Sequence, residues 1–167
     1  EPLEATSILL SDFSAEMLAR NFPRHFSDIE PSIEYYNKVV TYAWERVVDF
    51  IKLHYCISDR DDSQFWLDNQ NEATFSPELK ERLRKFAIRP PQQSDFFSRF
   101  DMFDDKNFLY VLYGMKFKTK AAKLSAVEKK HCLELFLSND NLVKSAPKAL
   151  LKHRDWLSGL KAAYNKG

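Results

Sequence analysis

Pro31-Ser32-Ile33-Glu34-Tyr35-Tyr36-Asn37-Lys38-Val39-Val40-Thr41-Tyr42-Ala43-Trp44-Glu45-Arg46-Val47-Val48-Asp49-Phe50-Ile51-Lys52-Leu53-His54-Tyr55-Cys56 is the stretch on which the fold turns. Apolar or half-apolar side chains recur at Ile33, Tyr36, Val40, Ala43, Val47, Phe50, Ile51 and His54. That is the three-and-four rhythm of a helix with one buried stripe. Pro31 suits the first helical position, where its missing N–H costs no intrahelical bond. Such a helix would run about 40 Å at 1.5 Å per residue, enough to cross a domain, and it is the expected spine of the fold. His54 falls on the buried side, where a hydrogen-bonded core histidine is commoner than a catalytic one.

Upstream of the spine, Phe22 to Glu30 reads as a loop, with Pro23 stopping the preceding helix and His25 exposed. Ser14 has the position of a cap, and Phe13 with Leu18 that of a hydrophobic staple, so a fresh helix is expected there. The chain opens on Glu1-Pro2-Leu3-Glu4-Ala5-Thr6-Ser7-Ile8, an acidic, small-residue approach to a helix with Thr6 as its N-cap. A helix starting there leaves the amides of Thr6, Ser7 and Ile8 without intrahelical partners, which makes an anion site with the Glu4 carboxylate just outside it. The simpler reading of these eight residues is that Glu4 favours the helix dipole from solvent.

Downstream, Ser58 to Ser63 is a charged corner in which Asp61 and Gln64 have capping-box spacing. Arg60 is expected to tether it through a carboxylate. Ser76-Pro77 opens a helix with Leu79, Leu83 and Phe86 on one side, and Ile88 to Gln93, with two prolines, forbids its continuation. Phe96 to Phe117 is rich in rings, with Asp104 or Asp105 capping a helix that ends near Gly114. Lys116, Lys118, Lys120 and Lys123 read as a solvated loop rather than a nucleic-acid site. Ser125 and Glu128 form a capping box whose helix has Cys132, Leu135 and Phe136 inward; Ser145-Ala146-Pro147 is expected to start the last helix. No stretch has the alternation of a strand, so the fold class is all-α.

The 167 residues suffice for one domain with a real core. A net charge of +1 argues against a dedicated nucleic-acid binder, and no apolar run reaches the length of a membrane span. Cys56 and Cys132 are isolated, without metal-site spacing, so a cytoplasmic setting is expected. Aromatic residues make up 14% of the chain. Rings in that number pack a helical core or line a pocket for a flat ligand, and at helical spacing the core is the commoner use.

The segment Glu1 to Ile8 resembles the Glu-Pro-Leu-Glu-Ser/Ala-Thr-Gly/Ser-Ile segment of flavin-dependent tryptophan halogenases. Tyr36-Asn37, Asp49 to Tyr55, Arg60 to Trp66, Asn107 to Gly114 and the closing Pro147, His153 and Trp156 are similar to further family segments in the same order. The resemblance implies a helical, C-terminal, substrate-side portion of a two-part flavoprotein. Residues 1–12 would be the active-site segment and 13–167 the helical domain, with the flavin-binding domain outside this chain. The chain's three glycines supply no dinucleotide loop, which agrees with that division.

In the family, reduced flavin and oxygen turn halide into hypohalite, which travels to a second site and halogenates an indole ring. The resemblance implies Glu4 as the catalytic carboxylate, the amides of Thr6 and Ser7 as halide ligands, and Ile8 as a flavin contact. It also implies FAD reduced by a separate flavin reductase, and it leaves a homodimer open. The family's grips for free tryptophan fall near Pro91-Gln92, Ser98 and Met102-Phe103, where the polar groups are missing. Phe103 keeps a stacking ring, with Met102 and Ser98 beside it. Indole or another electron-rich aromatic is therefore expected over tryptophan, because an ammonium without a carboxylate partner is poorly held. The chain by itself is not expected to be active. The competing reading, a stand-alone helical module for a peptide or hydrophobic ligand, would need no second half.

Overall fold

A computed structural model describes residues 6–120 and 123–164. It divides into two units, residues 1–121 and 122–167. The described residues form helices, short 3₁₀ turns and loops, with no strand among them. The first unit holds α1 (Ser7–Asn21), α2 (Ile29–Cys56), α3 (Gln64–Gln70), α4 (Pro77–Ile88) and α5 (Asp105–Gly114). The second holds α6 (Ala126–Ala149) and α7 (His153–Tyr164).

The spine is longer than its sequence signals indicate. Asp28 precedes it and Pro31 sits third, still within the turn where a proline sacrifices no hydrogen bond. Its buried stripe runs Val39, Ala43, Val47, Phe50 and Leu53. Ala43, Val47 and Phe50 were expected there; Ile33 and the first two turns instead lie near the surface, beyond the core's reach. One cluster joins Phe50 and Leu53 to Phe75, Leu79, Phe86, Phe108 and Leu112. A smaller one joins Ala43 and Val47 to Leu10 of α1.

No second helix begins at Ser14. Helix α1 runs through, because the Ser14 hydroxyl donates back to the Leu10 carbonyl at 2.7 Å instead of capping. Asp61 does not cap α3 either: Ser63 holds that position without a capping hydrogen bond. Arg60 does tether the corner, donating through Nε and Nη2 to Asp62 at 3.0 and 2.7 Å while lying over the Trp66 ring. Ser76 caps α4 as expected, accepting from the Leu79 amide at 3.0 Å.

Asp104 caps α5 through the amides of Lys106 and Asn107. At its other end Gly114 is helical, and Lys116 takes the left-handed turn with φ 61°. The Phe117 amide then reaches Leu112 O at 2.7 Å and the Lys116 amide reaches Tyr113 O at 3.1 Å. These are the two bonds of a Schellman motif, with lysine where glycine is usual. The chain beyond it satisfies the end of α4, as Thr119 Oγ1 donates to Phe86 O at 2.8 Å and the Lys120 amide to Ala87 O at 2.9 Å.

In the second unit Ser125 and Glu128 cap α6 reciprocally, as read. Pro147 does not start a helix; it lies in the last turn of α6, which ends at Ala149, and α7 starts at His153. No described residue of α6 or α7 is buried, so the expected inner face of Cys132, Leu135 and Phe136 is open.

Candidate functional site

The start of α1 carries the first part of the site. Glu4 lies outside the described residues. Thr6 is buried at the N-cap position with φ −83° and ψ −7°, and its side chain makes no capping hydrogen bond. Helical backbone already at the cap aims the hydroxyl away from the amides it would serve. Its carbonyl accepts the Leu10 amide at 2.9 Å, which begins the helix. Ser7 and Ile8 are exposed, Ile8 to 80%. First-turn amides point along the axis away from the helix, so this end presents N–H donors beside an uncovered aliphatic side chain.

One turn further, Leu10 is buried against Ala43 and Val47, and Met102 and Phe103 pack on the same cluster. Phe103 also stacks on Phe50, ring centroids 3.8 Å apart and planes 21° from parallel. The structure thus gathers two of the expected pocket residues, Met102 and Phe103, behind the first turn of α1. Ser98 faces elsewhere. It lines an open hollow of about 670 Å³ with Tyr35, Tyr42 and Phe100.

Ser98 and Phe103 bracket a turn with a polar lock that sequence reading missed. Asp101 has a side chain only 4% exposed. Its carboxylate accepts from Tyr42 OH (3.3 Å to each oxygen), Arg82 Nη2 (3.2 Å) and the Ser98 amide (3.3 Å). Arg82, equally buried, donates through Nε to Glu78 at 2.8 Å and lies over the rings of Phe96 and Phe108. Burial pulls the Arg82 guanidinium down, but Glu78 and Asp101 outweigh it and hold its pKa above the usual value. Burial and the Asp101 carboxylate raise the Tyr42 phenol.

Asp49 continues the polar layer. It accepts from Ser76 Oγ at 2.6 Å and lies 3.0 Å from Arg46 Nη2, which sits off the axis of a hydrogen bond. Its burial lifts the carboxyl above the ordinary range against the pull of both partners. The available signal was Arg82 itself: a charge at a stripe position between Leu79 and Phe86 calls for a buried partner.

Two other candidates are inert. His54 is held by the Phe50 carbonyl at 2.9 Å and meets the Phe50 ring edge-on, as a core histidine does. Burial pushes the Cys56 thiol up to about 11, so it is protonated and no nucleophile at neutral pH. Among the described residues no group of three or more side chains is arranged to hold a metal. No described helix is long and apolar enough to cross a membrane.

The family model for tryptophan halogenases matches residues 1–130, more than half of the chain. The chain belongs to the tryptophan halogenase family. It is 28% identical over 115 residues to tryptophan 6-halogenase SttH of Streptomyces toxytricini, an overlap covering 68% of this chain and 21% of that one. Among solved structures it is similar to a tryptophan halogenase from Shewanella frigidimarina, with a TM-score of 0.78 and 28% identity over 95% of this chain and 30% of the other. BrvH, a flavin-dependent halogenase from Brevundimonas sp. BAL3, is similar at a TM-score of 0.77 and 28% identity, over 96% of this chain and 32% of BrvH. The chain thus spans about a fifth of the length of SttH and about a third of these structures.

Proposed function

We propose that this chain is the substrate-side part of a flavin-dependent halogenase acting on indole or a similar electron-rich aromatic. The observation that carries the reading is the stacked Phe103, which packs with Met102 on the cluster that buries Leu10, one turn behind the start of α1. Family membership favours it over a stand-alone binding module.

The resemblance assigns the main-chain N–H groups of Thr6 and Ser7 to a halide and Ile8 to a flavin edge, and the exposure of the Ile8 side chain supports the second of these. Reduced flavin, supplied by a separate reductase, provides with oxygen the hypohalite. The chain's own residues do the rest. Phe103 and Met102 offer an apolar wall that orients a flat ring and excludes water. As the halogen bonds to a ring carbon its bond to oxygen breaks and the oxygen leaves as hydroxide, which takes a proton to become water. The Glu4 carboxylate stabilises the positive charge left on the ring and then accepts the proton that the same carbon gives up.

The test joins the chain to its upstream flavin-binding part and supplies reductase, flavin, bromide and indole. Bromoindole is expected, with kcat/KM for indole above that for tryptophan. Glu4→Gln lowers turnover by about 10²- to 10⁴-fold, the usual weight of a positioned acid or base. An intact wild-type enzyme that brominates neither ring would end the reading.

A further inference from the structure

The turn from Ser98 to Phe103 is closed twice. The Asp101 amide donates to Ser98 O at 3.1 Å, the Ser98 amide donates back to Asp101 Oδ2 at 3.3 Å, and Ser98 Oγ accepts the Phe100 amide at 3.1 Å. The turn is also fastened from outside, since the same carboxylate takes Tyr42 OH from α2 and Arg82 Nη2 from α4. Met102 and Phe103 follow it directly. Their backbone therefore inherits its position from a carboxylate held by two helices. That is a more rigid anchorage than the chain's own turn propensity, since charged hydrogen bonds in a buried setting resist rearrangement.

We propose that Asp101 is a positioning residue for the aromatic substrate: held by Tyr42 and Arg82, it fixes where Phe103 and Met102 stand and so which ring carbon meets the halogen. This rests on the reading of Phe103 as the substrate wall. Asp101 does not touch the ring. It acts through the two residues after it. An offset of about 1 Å in a reacting geometry costs on the order of a hundredfold in rate, so a slackened turn is enough to redistribute attack among neighbouring carbons.

The experiment uses the assembled halogenase with bromide and indole. It compares Asp101→Asn, Tyr42→Phe and Phe103→Ala with Asp95→Asn, which removes an equally buried carboxylate three residues before this turn, one whose partner Arg89 is partly exposed. Three quantities are read: the ratio of bromoindole isomers, KM for indole, and hypobromite captured by a dissolved scavenger in the absence of indole. Asp101→Asn and Tyr42→Phe are expected to shift the isomer ratio and raise KM by about tenfold, with scavenged hypobromite unchanged. Asp95→Asn lowers thermal stability with the isomer ratio intact. Tyr42→Phe keeps the ring and removes one hydroxyl, so it reports even where Asp101→Asn folds poorly. If Phe103→Ala moves the ratio and KM while Tyr42→Phe and a folded Asp101→Asn move neither, Asp101 is only a tether and the proposal is overturned. If Phe103→Ala also moves nothing, the substrate wall itself is misassigned and the proposal goes with it.

Discussion

Asp95 shows how far one carboxylate can be held from its ordinary behaviour. Arg89 grips it with two hydrogen bonds of 2.8 and 2.6 Å, and the Gln92 amide adds a third at 2.9 Å. The Arg89 bonds above all lower its pKa to about 2. A depressed carboxyl stabilises the fold above its unfolded pKa and loses that contribution as pH falls through the folded one. Stability should therefore decline by about 2 kcal/mol between pH 4 and pH 2 on account of this group, and Asp95→Asn should flatten that part of the curve in chemical denaturation. Asp49→Ala is the contrasting case. It leaves Arg46 without its nearest buried carboxylate and Ser76 without an acceptor, and a loss of about 3 kcal/mol is expected in the same measurement. The Arg46–Asp49 pair has the i,i+3 spacing of one helix face, but the lock on Asp101 was not written in residue spacing. Asp101 and Arg82 stand 19 positions apart and meet only because α4 and the turn before α5 fold onto α2.

Among the elements, α2 was legible because its apolar period runs for several turns, and α4 and α6 because their caps obey local rules: Ser76 before Pro77, Ser125 with Glu128. The misreadings came from residues with two uses. Ser14 bonds backwards and Pro147 rides inside a last turn, and nothing local separates these from a cap and a start. The Schellman end of α5 is not legible in the sequence, because a lysine takes the left-handed position and Gly114 lies two residues before it, inside the helix. Lys116 carries the left-handed turn there at the cost of its own Cβ. Lys116→Gly should raise thermal stability by about 0.5–1 kcal/mol, with the Phe117 contact on the core unchanged. Of the candidate site, Met102 and Phe103 could be found from the resemblance, whereas the split that sends Ser98 to another hollow depends on a turn visible only in three dimensions.

At the scale of the molecule, the two units are unlike. The first has an apolar core of two clusters, with Phe103 packed against both. The second exposes Leu133, Leu135, Phe136 and Val143 on α6 and Trp156 and Leu160 on α7, with nothing buried among its described residues. Helices so placed have little tertiary support. In limited proteolysis of the chain by itself, cuts within α6 and α7 should precede cuts within α2 and α4. The same preparation given reductase, flavin, bromide and indole should form no brominated product, a result that mass spectrometry of the mixture checks.

The length of α2 has a mechanical effect. Its 28 residues form one rod, with an apolar crease between Phe22, Ile33 and Tyr36 near one end and Phe50 against the stacked Phe103 towards the other. Ile29 and Phe50 are about 30 Å apart along it, so a tilt of about 2° pivoting at the crease swings the Phe50 ring by about 1 Å. On the reading of Phe103 as the substrate wall, substitutions that fill or empty that crease are expected to change the ratio of bromoindole isomers. A search for altered isomer preference should therefore sample Phe22 and Ile33 as readily as the side chains nearest the chemistry.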